Sequence, residues 1–298
     1  MIQVDIISGF LGAGKTTFAN ILLRHYLAFG LRPVYIVNEI GQSGVDAEVI
    51  KAEGFEAMEM EGGCICCSLK TDIAAAMLEV IDRFSPTNLV FEPSGVFIFD
   101  DFFDILKQPA IAERCTLGKV FTIVDSVNFS LVKAAYGSFL YNQIKNAGIL
   151  IVSKLERSPH DPEELLCDIK NINDKAFVLS KIWTDWDGSD LEHLLSQQAF
   201  PYSNHRAHCH SDFTAFTVKP ERAFSKDGLD SFVEACKSGA FGRLCRVKGI
   251  VERGEQAMLL NIAMQDCVLK AFRGIAEPTV TFIGQEINTE EILNFLKG

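Results

Sequence analysis

The feature that most constrains this chain is a glycine-rich turn near its start, Gly9-Phe-Leu-Gly12-Ala13-Gly14-Lys15-Thr16. The turn fits the spacing G-x-x-x-x-G-K-[ST], with an apolar run at 4–7 before it and a helical pattern after it. Glycines at these positions let backbone N–H groups turn inward around phosphate oxygens. The lysine adds positive charge at the β and γ phosphates, and the threonine hydroxyl can ligate Mg²⁺. The segment therefore predicts a nucleoside triphosphate site, with a plain glycine-rich turn as the alternative.

Apolar, β-branched runs alternate with helical patterns after this turn, which is typical of a parallel sheet covered by helices. The expected strands are 4–7, 34–37, 89–92, 120–124, 149–153 and 177–180. The expected helices are 16–29, 69–84, 138–147 and 162–172. The alternation predicts an α/β fold, a P-loop NTPase domain with a doubly wound, mostly parallel sheet. Its ligand should lie beyond the carboxyl ends of the strands.

The pattern lapses at residues 201–212 into a polar stretch typical of a linker. Beyond it, strands are expected at 213–219, 244–251, 258–264, 267–272 and 279–283, and helices at 229–237 and from Thr289 onward. We therefore predict three parts: a P-loop domain at 1–200, a linker at 201–212 and a smaller C-terminal α+β domain at 213–298.

The charge balance bears on partners and location. The chain has 298 residues and a net charge of −11, which argues against wholesale binding to nucleic acid or to an anionic membrane, since both prefer a basic face. No apolar run reaches the roughly 18 residues of a transmembrane helix. The first residues are expected to form a core strand rather than a signal peptide, so we expect a cytoplasmic protein. The oligomeric state stays open, a homodimer included.

A second element of the nucleotide site follows the strand expected at 89–92, which ends in Glu92-Pro-Ser-Gly95. P-loop proteins that switch or hydrolyse need polar groups around Mg²⁺ and the γ-phosphate. An acid at a strand tip can hold Mg²⁺, and a glycine three residues later can offer its N–H to the γ-phosphate. An ordinary turn is the alternative, since these residue types are common in turns.

The strand expected at 34–37 leads into Asn38-Glu39-Ile-Gly41-Gln42-Ser-Gly44. Polar groups and glycines that follow a buried strand are typical of a ligand-bearing loop that becomes ordered on the triphosphate. A plain surface loop is the alternative.

Three of the nine cysteines lie within four positions, in Glu61-Gly-Gly-Cys64-Ile-Cys66-Cys67. In extended backbone Cys64 and Cys66 point to the same side, and Cys67 can turn in at a bend. Three thiolates suit Zn²⁺ or another thiophilic ion, with Glu39 or Glu61 as a candidate for the fourth ligand. Buried structural thiols and a redox pair are the alternatives.

A further cluster lies in the predicted linker, where residues 205–210 read His-Arg-Ala-His208-Cys209-His210. Four of these six residues are metal-ligand types. Metal binding, with His208 and His210 as candidates, and the chance composition of a polar linker both stay open.

The strand expected at 149–153 ends in Ser153-Lys154-Leu-Glu156. Guanine recognition commonly uses a lysine beside the base and an acid that pairs with the N1 and N2 hydrogens. Lys154 has the required place, and Glu156 could supply the carboxylate. This short match is weak alone and gains weight from its position at the end of a central strand.

Together these elements resemble the CobW family of P-loop GTPases, which is related to the accessory GTPases of hydrogenase and urease maturation. The resemblance rests on the P-loop, Asn38-Glu39-x-Gly41, Gly62-Gly63-Cys64-Ile-Cys66-Cys67, Glu92-Pro-Ser-Gly95, Ser153-Lys154 and, in the tail, Arg246-Val-Lys248-Gly249. It implies a slow GTPase that binds a transition metal, zinc or cobalt, at the Cys-x-Cys-Cys element. It also implies delivery of that metal to a client metalloprotein or to a metal-cofactor pathway such as cobalamin synthesis.

The candidate residues divide by role. Those for nucleotide binding are Gly9, Gly12, Ala13, Gly14, Lys15, Thr16, Thr17, Ser153, Lys154 and Glu156. Those for hydrolysis are Lys15, Glu92 and Gly95. Those for metal are Thr16 for Mg²⁺ and Glu39, Cys64, Cys66, Cys67, His208 and His210 for the transition metal.

The chain departs from the family pattern at three places. Glu156 stands where the family usually has aspartate, so the choice between GTP and ATP stays open. Gln42 stands where the switch loop usually carries an acid, and the histidine-rich tract is reduced to residues 205–210. Two other functions compete with a metallochaperone: a redox or metal-sensing switch that only binds nucleotide, and a P-loop small-molecule kinase.

Overall fold

The chain was analysed as a computed structural model, which describes residues 1–40, 50, 54–62, 69–97, 99–197, 213–272 and 277–297. It divides into two compact units, one built on a seven-stranded sheet and the other on a five-stranded sheet. Over this described part of the chain, no helix combines the length and apolar character that crossing a bilayer needs.

The sheet of the first unit has the strand order β3-β2-β4-β1-β5-β6-β7. Its strands are β1 Ile2–Gly9, β2 Pro33–Ile40, β3 Ala57–Gly62, β4 Asn88–Glu92, β5 Cys115–Asp125, β6 Ile149–Ser153 and β7 Phe177–Leu179. The pairings of β1 with β4 and β5, of β2 with β4, and of β6 with β5 and β7 are parallel. β4 and β6 are buried along their whole length, as expected for strands covered on both faces.

Helices pack on this sheet and form two apolar cores. They are α1 Lys15–Ala28, α2 Leu69–Phe84, α3 Phe99–Leu106, α4 Pro109–Ala112, α5 Phe129–Asn146, α6 Pro162–Ile172 and α7 Gly188–Ser196. Side chains alternate between the faces of a strand. Val4 and Ile6 therefore join the core that includes α2 and α3, whereas Ile7 joins the core under α1.

The strand order decides which loops meet. β1 lies between β4 and β5, where the sheet order reverses, and β6 is the next strand after β5. Parallel strands end at one edge of the sheet, so the segments that follow β1, β4, β5 and β6 lie at the same edge.

The second unit is an antiparallel sheet with two helices. Its strands, in the order β11-β10-β9-β12-β8, are β8 Thr214–Val218, β9 Arg243–Arg253, β10 Gln256–Ala263, β11 Asp266–Ala271 and β12 Thr279–Gln285. Its helices are α8 Lys226–Ser238 and α9 Thr289–Lys297. Phe232, Phe241 and Phe282 fill the core between them. A Cβ at Gly249 would lie 2.0 Å from the Thr279 carbonyl oxygen, so the pairing of β9 with β12 depends on glycine there.

The predicted fold class is confirmed: a mostly parallel α/β sheet of the P-loop NTPase type with a smaller α+β unit after it. The predicted domain boundaries fall within residues 198–212, outside the described residues, and stay a prediction. Sequence reasoning missed β3, α3, α4 and α7. It also placed the start of α5 at Ser138, whereas the helix begins at Phe129. The backbone of Tyr136 departs from helical geometry and interrupts the helical pattern there.

Candidate functional site

The loop between β1 and α1 has the backbone of a phosphate cradle. Gly9, Gly12 and Gly14 have φ values of 144°, 76° and 108°, a region that favours glycine. A Cβ at Gly9 would lie 2.5 Å from the Ile123 carbonyl oxygen. Gly14 begins α1 without a side-chain cap, so no capping side chain satisfies the first N–H groups of the helix. Such a helix start attracts an anion.

The carboxylate of Glu92, at the end of β4, contacts the two P-loop side chains that follow the last glycine. Thr16 Oγ1 donates to Glu92 Oε1 at 3.3 Å, and Lys15 Nζ lies 4.0 Å from the same oxygen. Tyr35 on β2 donates its hydroxyl to Glu92 Oε2 at 2.6 Å. The Glu92 side chain is buried, so these contacts form in a low-dielectric setting where they are stronger than in water.

Gly95 lies between the P-loop and α5. Gln143 on α5 donates from Nε2 to the Gly95 carbonyl oxygen at 2.9 Å. A Cβ at Gly95 would lie 2.5 Å from the backbone nitrogen of Leu11 in the P-loop. The Glu92–Gly95 turn is therefore packed directly against the phosphate loop, and only glycine fits this position.

A cavity of about 490 Å³ continues from the P-loop toward the end of β6. Its lining residues come from the P-loop, the segment after β6 and the turn after β7. They are Ala13, Gly14, Thr17, Ser153, Lys154, Glu156, Arg157, Ile182, Trp183, Thr184 and Asp185. The volume falls within the range of small-molecule sites.

The walls of this cavity are fixed to the P-loop. Ser153 Oγ donates to the Ala13 carbonyl oxygen at 2.7 Å, which joins the end of β6 to the phosphate loop. A Cβ at Gly14 would lie 3.3 Å from the Trp183 ring, so the tryptophan packs over the first turn of α1. Trp183 also makes an edge contact with Phe18 of α1, with ring centroids 6.3 Å apart.

Two charged side chains line the cavity beyond these walls. Lys154 has a φ of 58° and donates to Asp125 Oδ2 at 2.8 Å. Glu156 Oε1 lies 3.6 Å from Arg157 Nε, and both side chains are half exposed. An exposed ion pair of this kind contributes little to stability, so the Glu156 carboxylate can exchange Arg157 for a ligand at low cost.

A buried acid outside the site lies on the strand that leads to the P-loop. Asp5 accepts from the Tyr26 hydroxyl at 2.8 Å, from the Lys119 backbone N–H at 2.6 Å and from Gln3 Nε2 at 3.0 Å. Burial raises the pKa of Asp5, although these three donors act in the opposite direction. Burial and the neighbouring carboxylate raise the pKa of Tyr26.

Both units match known family models. Residues 3–180 match the CobW/HypB/UreG nucleotide-binding domain, and residues 213–298 match the Cobalamin synthesis protein cobW C-terminal domain. The first match alone covers more than half of the chain.

The chain belongs to the CobW/HypB/UreG family.

Its relatives differ in how much of their length they share with it. Zinc chaperone YjiA of Escherichia coli is 34% identical over 98% of this chain and 96% of its own length. Zinc chaperone CobW of Sinorhizobium sp is 37% identical over 42% of this chain, and the chain spans only 37% of that relative. The crystal structure of Zn(II)-bound YjiA GTPase is similar at 18% identity and a TM-score of 0.46, covering 100% of this chain and 98% of that one.

The structure places the predicted nucleotide residues of this CobW-family chain around one edge of the sheet. Residues 9–17 form the P-loop and the start of α1, with Glu92 and Gly95 against them. Ser153, Lys154 and Glu156 lie at the cavity next to the P-loop.

The predicted transition-metal residues lie outside the described part of the chain. This is true of Cys64, Cys66, Cys67, His208 and His210, and the departure at Gln42 lies outside it as well. Glu39 lies in β2 and Glu61 lies in β3, but their side chains are also outside the described part of the chain. The described residues contain no group of three or more histidine, cysteine or acidic side chains that could hold a metal ion. The metal site in this CobW-family chain stays a prediction.

Sequence reasoning missed four residues that support the site: Tyr35, Asp125, Gln143 and Trp183. Tyr35 lies inside an expected strand and Gln143 inside an expected helix, and each donates a hydrogen bond to a residue at least 48 positions away. Asp125 ends β5 at the same sheet edge as Lys154, and a polar residue at a strand end is a signal that could have revealed it.

Proposed function

We propose that the chain binds GTP with Mg²⁺, hydrolyses it slowly, and uses the nucleotide to control the binding of a transition metal, zinc or cobalt, and its delivery to a client. The contact of Glu92 with both Lys15 and Thr16 carries the nucleotide half of this proposal. Relatives named zinc chaperones support the metal half.

The residues present fit the phosphates and Mg²⁺. Gly9 and Gly14 have positive φ values that favour glycine, and such a backbone can turn its N–H groups toward phosphate oxygens. The Thr16 hydroxyl and the Glu92 carboxylate are oxygen donors of the kind Mg²⁺ selects. When bound, Mg²⁺ would supply neutralising charge to the phosphate oxygens.

The remaining groups act at the γ-phosphate or hold the base pocket in place. Lys15 is almost fully buried at 4% exposed, so its charge acts at close range in a water-poor site. The N–H of Gly95 lies on the turn that packs against the P-loop, where it can report whether a γ-phosphate is present. The Ser153 hydroxyl, which donates to the Ala13 carbonyl oxygen, fixes the base pocket next to the phosphate loop.

The cavity favours guanine over adenine. A carboxylate such as that of Glu156 accepts hydrogens, and guanine presents two donors, at N1 and N2, on its Watson–Crick edge. Adenine presents an acceptor at N1, which a carboxylate repels. The alkyl stem of Lys154 supplies an apolar surface beside the base, and its charge stays paired with Asp125.

The metal half follows from ligand chemistry and linkage. Mg²⁺ takes oxygen ligands, whereas thiolates from Cys64, Cys66 and Cys67 suit zinc or cobalt, so the two ions need not compete. The metal is cargo, to be passed to a client metalloprotein or to an enzyme of a metal-cofactor pathway. If GTP changes the affinity for the metal, the metal must change the affinity for GTP by the same factor.

The test of the nucleotide half is competition of GTP and ATP against a fluorescent GDP analogue, followed by phosphate release with Mg²⁺. We expect GTP to compete at least about tenfold better than ATP, a difference of about 1.4 kcal/mol. Glu92→Gln should lower turnover by about 100-fold or more while the analogue still binds. Equal competition by ATP would refute the guanine assignment. Unchanged turnover in Glu92→Gln would refute the role of Glu92.

A further inference from the structure

The base-pocket lysine is held by an acid that belongs to none of the nucleotide motifs. Lys154 Nζ donates to Asp125 Oδ2 at 2.8 Å, and the two side chains are only 14% and 5% exposed. A charge-assisted hydrogen bond of this kind is roughly twice as strong as a neutral one. Lys154 lines the cavity, so Asp125 can influence a ligand there through Lys154.

The backbone of Lys154 needs such an anchor. Its φ of 58° lies in the left-handed region, which is unfavourable for a residue with a Cβ. Observed strain of this kind persists where surrounding contacts fix it, and it is common at ligand sites. The ion pair at one end of the side chain and the neighbouring Ser153 contact to Ala13 together fix this turn.

The carboxylate of Asp125 is itself fixed by the turn that leads into α5. Its Oδ1 accepts from the backbone N–H groups of Val127 at 2.9 Å and Asn128 at 3.2 Å. Its Oδ2 accepts from Asn128 Nδ2 at 2.8 Å. These donors keep the carboxylate from rotating, so the position of the lysine is set before any ligand enters.

We propose that Asp125 is a positioning residue for nucleotide binding, acting on the base through Lys154. It holds the lysine stem along the wall of the pocket and neutralises a charge that would otherwise face the base edge. The inference rests on the proposed nucleotide function. The competing explanation is structural: Asp125 would serve only to hold the turn that leads into α5.

Asp125→Asn separates the two roles. Asparagine keeps an Oδ1 acceptor for the N–H groups of Val127 and Asn128, but it replaces the Oδ2 that Lys154 contacts with an amide donor. Asn128 Nδ2 also donates to that Oδ2, and a rotation of the Asn128 amide would present its Oδ1, which has no hydrogen-bond partner in the described part of the chain, to the new donor. We expect binding of a fluorescent GDP analogue to weaken by about tenfold, with little change in melting temperature. The matched control is Asp168→Asn, which breaks an ion pair of 2.7 Å between Lys133 on α5 and Asp168 on α6. It should bind the analogue as the wild type does.

A double-mutant cycle with Lys154→Met decides whether Asp125 acts through the lysine. If it does, Asp125→Asn/Lys154→Met will bind about as weakly as Lys154→Met alone. Losses that multiply, or wild-type affinity in Asp125→Asn, would overturn the proposal. Should Asp125→Asn fail to fold, the same cycle is run on Asp125→Ser, whose hydroxyl can still accept from backbone N–H groups but carries no charge to pair with Lys154, and the same two outcomes apply. Unchanged affinity in Lys154→Met would also overturn the proposal, whereas a wild-type protein that binds no nucleotide would refute the proposed function.

Discussion

Replacing Gly95 by alanine tests whether the turn after β4 and the phosphate loop work as one packed unit. The added Cβ would lie 2.5 Å from the Leu11 nitrogen, 2.7 Å from its Cγ and 2.8 Å from its Cα. Ordinary contact begins at 3.4 Å, so the turn or the loop must move by about 0.9 Å. Two of the three atoms are backbone, and the flexible side chain cannot relieve the overlap alone.

The size of the effect follows from this displacement. Overpacking of a close-packed region costs about 1–3 kcal/mol, which corresponds to a fall in melting temperature of about 2–12 °C for a domain of this size. A shift of about 1 Å in a positioning loop can lower catalytic efficiency by about 100-fold. We therefore expect Gly95→Ala to lower kcat/KM for GTP by about two orders of magnitude, well beyond what its loss of stability explains.

The assay is phosphate release with Mg²⁺, together with thermal melting of the same preparations. Gly188→Ala is the matched control, because a Cβ there meets no atom within 4 Å and Gly188 is outside the nucleotide site. A Gly95→Ala variant whose kcat/KM and melting temperature match those of Gly188→Ala would refute the reasoning.

Two further predictions concern the strand ends and the buried acid. Ser153→Ala removes the hydroxyl that donates to the Ala13 carbonyl oxygen, so the affinity for a fluorescent GDP analogue should fall by about fivefold, or about 1 kcal/mol. Unchanged affinity would contradict a role for this hydrogen bond in nucleotide binding. Burial raises the pKa of Asp5 above its unfolded value of about 3.9. The stability that this raised pKa contributes to the folded protein is therefore fully present below about pH 3.9, and it is lost as the pH rises through the folded-state pKa. As the pH rises from about 4 through the folded-state pKa, the free energy of unfolding of the wild type should therefore fall relative to that of Asp5→Asn, as urea titrations would show. A difference that stays constant with pH would contradict the shift.

Elements with a clear pattern could be predicted from the sequence. β6, α2 and α6 have the predicted bounds, because a continuous apolar run predicts a buried strand and an amphipathic repeat predicts a surface helix. The phosphate loop was also predictable, since its glycines are required by the backbone itself.

The missed elements lack those patterns. β3 reads Ala-Met-Glu-Met-Glu-Gly, which has no β-branched or aromatic residue to favour a strand. α3 places Phe99, Phe102 and Phe103 in the core next to α2, and three of its other residues are aspartates. It spans only eight residues, which is too short for the helical period to repeat.

The site was predictable only where a motif places chemistry within a few positions. Glu92 ends β4 and Lys154 directly follows β6, and each belongs to a short motif, so the sequence was enough to locate both residues. Tyr35 and Gln143 act on Glu92 and Gly95 from distant elements. Partners brought together by the topology of the sheet leave no local pattern, so the sequence alone could not reveal them.

The most direct test of the central claim is a cobalt(II) and zinc titration of reduced, metal-free protein, with and without Mg²⁺ and a non-hydrolysable GTP analogue. Cobalt–thiolate charge-transfer bands report whether cysteines are the ligands. We expect one thiolate-rich site whose metal affinity changes with the nucleotide and which is lost in Cys66→Ser, while that variant still binds nucleotide. Metal affinity that is identical with and without the analogue, or undiminished in Cys66→Ser, would contradict this expectation.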